Sequence, residues 1–339
     1  MNDTPIDSPI GPPVDDEIDA LLALDALLPD EQADAELRIG PFPAHLDAAA
    51  LLAEETVTAA PSQLRAEVLA QASQRRAPGR PVDAAEPVAP VVAFERTVED
   101  LKRLLDSLTD AEWSAAAHAD HGRVRDLVAH LVGVERLVLR WLDPADDVPE
   151  LPDHIAATRT VINELADADP RDVARQWYAA ARAVAAAAAE DGGREVTFHD
   201  LTMTAEQLMV TRTSELWAHA IDISDAAGRP MPTLDPERMA LLCVSLMAAV
   251  PLALAYRGTA VPDRSARFVL TGPAGGIFTV PLAPQLQVAE PEVTIVVEAV
   301  RFCRVAVNRL RPDQLDAVID GDRELADLVL AGVGGLAKD

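Results

Sequence analysis

The sequence predicts a mainly α-helical protein: a four-helix bundle, followed by a small α+β domain and preceded by a short helical module. Apolar residues recur at helical spacing over four long stretches in the middle of the chain. After residue 257 the pattern changes to β-branched and aromatic runs separated by Gly and Pro, which is typical of strands. A Pro-rich segment before the first long helix marks a domain boundary.

The first 92 residues are predicted to stand apart from the bundle. Residues 1–14 are acidic and Pro-rich and are expected to be a disordered tail. Residues 15–76 carry apolar stripes at helical spacing, which indicates a helical module. Residues 77–92 contain four prolines, cannot continue a helix, and are predicted to be a semi-rigid linker.

The bundle is predicted over residues 93–232 and the α+β domain over residues 233–339. The bundle helices are expected at 93–108, 123–142, 170–190 and 203–227. A further helix at 236–257 approaches membrane-spanning length, but it is alanine-rich and contains Ser245 and Pro251, so a buried core helix is favoured over a membrane span. The remaining elements are expected to be strands at Arg267–Leu270, Gly276–Pro281 and Val293–Glu298 and helices at 299–310 and 322–332.

Composition excludes several classes of protein. The 339-residue chain has 29 Lys and Arg against 56 Asp and Glu, a formal net charge of −27, which argues against direct nucleic-acid binding. Two cysteines 60 positions apart provide neither a disulfide framework nor a thiolate zinc site, and they suit core packing in a reducing compartment. The first twenty residues lack the features of an export signal, so a cytoplasmic location is predicted.

The fourth bundle helix carries the most informative polar pattern. Its members, at positions i, i+3, i+7 and i+10, are Arg212, Glu215, His219 and Asp222. At about 100° per residue they share a stripe roughly 80° wide, with apolar residues on both sides. The stripe is therefore predicted to face the bundle interior, where buried charges need partners or a metal.

Glu215 and His219 lie one helical turn apart and could bind the same ion. His130, on the second bundle helix, is the best candidate for a third ligand. Two histidines and one carboxylate are the ligand set of a catalytic zinc with an open position, and the set also fits Fe(II), Co(II) or Ni(II). The alternatives stay open, because such a Glu–His pair is common on helix surfaces and a lone histidine is often a core residue.

Four other histidines are expected in loops or at helix ends, with a solvated surface position as the default. They are His118, His121, His154 and His199. His118 and His121 could alternatively line a cleft above the bundle.

Three segments resemble the mycothiol-dependent maleylpyruvate isomerase family: VRDLVAHLVG, TSELWAHAIDISDAAGRP and RFCRVAVNRLRPDQLDAVIDGDRELADLVL. The resemblance spans roughly residues 93–335. It implies a DinB-like metal-binding four-helix bundle joined to a small C-terminal α+β domain of sterol-carrier-like shape. It also implies mycothiol as a cofactor.

By this resemblance the zinc ligands are His130, Glu215 and His219, and Asp222 contacts the site from outside the ligand set. Arg309 matches an arginine that the family uses near its active site, so it is expected to be catalytic and to hold a substrate carboxylate. Arg123 stands where the family often has Trp, and it is expected to line the cofactor cleft. Asn308 stands where Gly is usual.

The N-terminal segment is similar to the sigma-binding helical domain of actinobacterial anti-sigma factors, on the residues LLALDALLPDEQADAELRIGPFPAHLDAAALLAEE. Zinc-containing members follow a histidine with two cysteines, but here His45 is followed by Ala49 and Leu52 at those positions. The resemblance therefore implies a sigma factor as partner of residues 15–76, without zinc in that module.

Two classes of function follow. The first is a metal-dependent, mycothiol-using isomerase or thiol transferase acting on a small electrophilic substrate that bears a carboxylate. An open zinc site would hold the thiol as the reactive thiolate. The alternative is an anti-sigma-type transcription regulator whose bundle senses a thiol or small ligand. The intact ligand set favours metal binding under both hypotheses, and no membrane association is expected.

Overall fold

The structure is a computed structural model that describes residues 85–143, 154–198, 201–284 and 290–334. The predicted tail, the predicted helical module and the first part of the predicted linker lie outside the described residues. Their boundaries, and the sigma-factor partner, stay predictions.

Four long helices form the bundle, and shorter elements connect them. In chain order the elements are α1 (Pro90–Asp106), α2 (Asp110–Trp113), β1 (Ala116–His118), β2 (Gly122–Arg123), α3 (Val124–Leu142), α4 (His154–Glu164), α5 (Pro170–Glu190), β3 (Glu195–Phe198), β4 (Leu201–Thr204) and α6 (Ala205–Ala226). Helix α3 packs against α5, α6 packs against α1, and α1 also contacts α5. The four predicted bundle helices are confirmed, with ends that agree within three residues.

Local chemistry explains where these helices begin. Pro90 is the first residue of α1, where its fixed φ suits a helix start and its missing N–H costs nothing, so the helix starts inside the predicted linker. Asp169 caps α5 by accepting a hydrogen bond from the Arg171 amide. Thr204 and Gln207 form a reciprocal capping box at the start of α6.

The sequence did not predict helix α4 or the two hairpins, β1–β2 and β3–β4. The hairpin strands have two to four residues each, too few for a period-two pattern to be visible. Helix α4 packs against α3, and Gly133 allows the close approach. A Cβ at Gly133 would lie 2.9 Å from the Cβ of Thr158 on α4. The approach brings Thr158 to the site described below.

The C-terminal part is an α+β domain, as predicted. Its elements are α7 (Pro236–Tyr256), β5 (Ser265–Thr271), β6 (Gly276–Pro281), β7 (Val293–Glu298), α8 (Ala299–Ala306), a 3-10 turn (Pro312–Gln314), β8 (Val318–Gly321) and α9 (Arg323–Val333). The sheet order is β6-β5-β7-β8; β5 and β7 are parallel, and the other pairs are antiparallel. Strand β8 was not predicted. Helix α8 ends before residue 310 because Asn308 adopts a left-handed conformation, with φ of 57°.

Among the described residues, α7 is the one helix that is long and apolar enough to cross a membrane. Half of its most apolar window is nevertheless buried, and the helix packs against α8, α9 and β6. These contacts agree with the predicted core helix. Cys243 on α7 and Cys303 on α8 are both fully buried, as predicted, with their Sγ atoms 3.7 Å apart.

Candidate metal centre

Three buried histidines from three different elements meet at the β1–β2 end of α3. They are His121 in the hairpin turn, His130 on α3 and His219 on α6. One nitrogen from each ring lies within 4.8 Å of the others. The rings of His121 and His130 stack with centroids 3.9 Å apart, and each lies 5.8 Å from the ring of His219. His121 is 5% exposed and the other two are 1% exposed.

Neighbouring side chains hold two of these rings through their Nδ1 atoms. His130 Nδ1 lies 2.8 Å from the hydroxyl oxygen of Thr158, which is buried on α4. His219 Nδ1 lies 3.1 Å from Asp222 Oδ2. When Nδ1 of each ring donates to these oxygens, Nε2 is the nitrogen that carries a lone pair for a metal.

Arg309 reaches from the C-terminal domain to the outer side of this centre. Its Nε and Nη2 donate to the two carboxylate oxygens of Asp222, at 2.7 and 2.6 Å, and its Nη1 donates to the Val307 carbonyl at 2.9 Å. Burial acts to raise the pKa of Asp222, but the hydrogen bonds from His219 and Arg309 outweigh it and lower that pKa. Asp222 therefore stays ionised and can orient His219.

A buried charge network lies beside the histidines on α6. The guanidinium of Arg212 is fully buried, and its Nη2 donates to Glu135 Oε1 at 2.7 Å. Its Nη1 forms an ion pair with Glu215 Oε2. Burial raises the pKa of Glu135. Burial alone would lower the pKa of Arg212, but the carboxylates of Glu135 and Glu215 raise it by more, so Arg212 stays charged.

The inward-facing stripe on α6 is confirmed, because Arg212 and His219 are buried and the side chains of Glu215 and Asp222 are 16% and 10% exposed. His130 and His219 come together as expected. No oxygen of Glu215 belongs to the group of ligand atoms within 4.8 Å, so Glu215 as a metal ligand stays a prediction.

The default surface position was wrong for His121, whose hairpin folds over the end of the bundle. His118 is half-buried, stacks on His121 with ring centroids 4.7 Å apart, and accepts a hydrogen bond at Nδ1 from the Asp120 amide. That these two histidines line a cleft stays a prediction. The side chains of His154 and His199 lie outside the described residues.

Sequence reasoning missed Thr158 and Glu135. Glu135 is recognisable in the sequence, because it lies seven residues after Val128 and four after Leu131, on the apolar face of α3. A charged residue in such a position is rarely buried without a partner. Thr158 is not recognisable in this way, because α4 itself was not predicted.

Arg123 lies at the start of α3, next to the hairpin turn. Its guanidinium forms a fork with Asp126, with Nε 2.9 Å from Oδ2 and Nη2 3.2 Å from Oδ1, and its side chain is half exposed. The hydrogen bond to Asp126 raises the pKa of Arg123. A contact between Arg123 and a bound cofactor stays a prediction.

The donor chemistry of the centre fits a transition metal. Imidazole nitrogens suit zinc, copper, iron and nickel, and burial together with outer hydrogen bonds to two of the rings is the usual setting of metal-binding histidines. The three side chains come from a turn and two helices, so they can surround an ion from different directions.

Comparison with known proteins finds a matching family model and a distant relative. Residues 94–224 match the protein-family model described as the mycothiol maleylpyruvate isomerase N-terminal domain. An uncharacterised protein of Mycobacterium tuberculosis, found in two strains, is 25% identical over 150 residues, which covers 42% of this chain and 58% of that protein. The match thus spans little more than half the length of that relative.

Two crystal structures are also similar to this chain: a mycothiol-dependent maleylpyruvate isomerase and a histidine-to-alanine mutant of it. They are 18% and 17% identical, with TM-scores of 0.49 and 0.48. Each match covers 67% of this chain and 91% of the other.

Proposed function

Because residues 94–224 match the family model described as the mycothiol maleylpyruvate isomerase N-terminal domain, we propose that this protein is a metal-dependent, mycothiol-using isomerase or thiol transferase. Its substrate is a small electrophile that bears a carboxylate. The observation that carries the proposal is the buried cluster of His121, His130 and His219, whose nitrogens lie within 4.8 Å of one another.

Zinc is the proposed metal, held by His130 and His219 together with a third ligand. When bound, metal and thiol together supply a thiolate nucleophile that can add to an electrophilic double bond and leave after rotation, so that the thiol is not consumed. The protein contributes fixed donors and a water-poor setting, since all three histidines are at least 95% buried.

The neighbouring residues orient these donors. Thr158 and Asp222 hold the Nδ1 atoms of His130 and His219, which leaves Nε2 for the metal. Arg309 holds both oxygens of Asp222. This geometry favours Arg309 as a positioning residue, and its direct contact with a substrate carboxylate stays a prediction.

Metal analysis and thiol binding on the purified full chain test the proposal. We expect one zinc ion per chain and mycothiol binding, followed by calorimetry, to the metal-loaded protein but not to the chelator-stripped protein. Maleylpyruvate is the first substrate to assay. His130→Ala should lose metal and thiol binding together, while Asp327→Ala, at an exposed position on α9, serves as the control. A wild-type chain that binds neither zinc nor mycothiol would contradict the proposal.

The alternative of a sigma-binding regulator depends on residues 15–76, which lie outside the described residues. It stays a prediction, and the full chain used as bait in a pull-down tests it.

A further inference from the structure

We infer that His121, in the β1–β2 hairpin, is the third ligand of the metal centre, and that Glu215 instead serves as the partner of Arg212. The inference rests on the proposed function, because it concerns the same metal centre. It gives this chain an all-histidine site in place of the two-histidine, one-carboxylate set that the motif resemblance implies.

The first argument is distance. Tetrahedral zinc with bonds of about 2.0–2.1 Å holds its ligand nitrogens about 3.4 Å apart. The nitrogens of His121, His130 and His219 already lie within 4.8 Å of one another, so small side-chain rotations bring them to one ion. No carboxylate oxygen among the described residues belongs to that group.

The second argument is the charge network around Arg212. This guanidinium is fully buried and has Glu135 on one side and Glu215 on the other. If the Glu215 carboxylate moved to the metal, the buried cation would keep Glu135 as its carboxylate partner, and burial disfavours the ionised form of Glu135. When Glu215 stays paired with Arg212, the buried guanidinium keeps two carboxylate partners.

The third argument is the construction of the hairpin. Gly122, the residue after His121, has a φ of 83°, a conformation that side chains rarely adopt. The next residue, Arg123, is joined to Asp126 in the first turn of α3 by its amide, at 3.3 Å, and by its guanidinium fork. The hairpin turn is thus fastened to the helix that carries His130, which holds His121 against the cluster.

The ligand change alters the charge of the centre. Three neutral imidazoles leave the full +2 charge of zinc in the site, whereas a glutamate ligand reduces it to +1. A more positive site lowers the pKa of a bound thiol further and stabilises its thiolate more strongly.

Ligand counting on the unmutated full chain gives a direct test. X-ray absorption of the zinc-loaded protein should show three imidazole scatterers and no carboxylate ligand from the protein. The result does not depend on the folding of any variant. Two imidazoles with one carboxylate would overturn the inference.

Variants of the full chain give the second test. Zinc affinity is measured by chelator competition, and the metal geometry is followed by the absorption spectrum of the Co(II) form. Loss of a side chain that only hydrogen-bonds a metal ligand lowers metal affinity about 10–100-fold. His121→Ala should weaken zinc binding by more than this. Added imidazole should restore the Co(II) spectrum. Glu215→Gln should bind zinc like the wild type, and Asp327→Ala, which breaks an exposed ion pair on α9, is the control.

The outcomes separate this inference from the proposed function. Loss of zinc in Glu215→Gln with retention in His121→Ala would overturn the inference and leave the metal centre standing. Wild-type zinc binding by His130→Ala and His219→Ala would remove the metal centre, and the proposed function with it.

Discussion

Single residues outside the cluster decide which histidine nitrogens are available to a metal. Thr158 lies 2.8 Å from His130 Nδ1. We expect Thr158→Val, which keeps the shape but removes the hydroxyl, to lower zinc affinity about 10–100-fold. Without the hydroxyl, the His130 ring is free to rotate or to carry its proton on Nε2, the nitrogen that would bind the metal. Thr158→Ser should bind zinc nearly as the wild type does. Equal zinc affinity for Val and Thr in a chelator competition would show that the hydroxyl has no such role.

The buried pair of Glu135 and Arg212 is a second feature at this scale. Both side chains are fully buried, so Glu135→Ala leaves a guanidinium in the core with less compensation. We expect a loss of about 3–5 kcal/mol in the free energy of unfolding, measured with urea. The control is Asp327→Ala, which breaks an exposed ion pair with Arg323 and should cost about 1 kcal/mol or less. Similar losses for the two variants would contradict the role given to burial.

At the scale of elements, the packing of α4 on α3 connects the fold with the site. A Cβ at Gly133 would lie 2.9 Å from two carbons of Thr158. Gly133→Ala should therefore push the helices apart, with a cost of about 1–3 kcal/mol in unfolding free energy and reduced zinc affinity as Thr158 leaves His130. Gly193→Ala, where the nearest atom would be 3.8 Å away, is the control. If zinc affinity stayed unchanged in Gly133→Ala, the helix contact would not position the site.

Glu112 joins α2 to the segment after α6. Hydrogen bonds from Arg229, and then from Thr109, lower the pKa of Glu112 from 4.5 to about 2. Because the folded-state pKa lies below the unfolded one, the stabilisation is complete above pH 4.5 and is lost as the pH falls towards 2. The wild type should melt at a higher temperature than Glu112→Gln above pH 4.5, and the difference should disappear near pH 2. A difference independent of pH would rule out the carboxylate as its source.

At the scale of the whole molecule, the Arg309–Asp222 fork joins the C-terminal domain to the metal centre. If Arg309 is a positioning residue, Arg309→Lys should lower zinc affinity, because a lysine cannot hold both oxygens of Asp222. If it binds the substrate carboxylate instead, the variant should raise KM and leave zinc affinity unchanged. Chelator competition and steady-state kinetics on the same preparation distinguish the two roles, and no change in either quantity would exclude both.

The sequence by itself determined the four long bundle helices and the inward stripe of α6, because an apolar face repeats every few residues and is a local property of the chain. It also singled out His130 and His219, which lie on long helices with clear periodicity. Only the tertiary structure decided the rest of the centre. Thr158 comes from a helix without a visible pattern, and His121 from a hairpin too short to show one. Their positions depend on contacts between elements distant in sequence, such as the close approach at Gly133 and the fork at Arg123, and spacing along the chain does not encode those contacts.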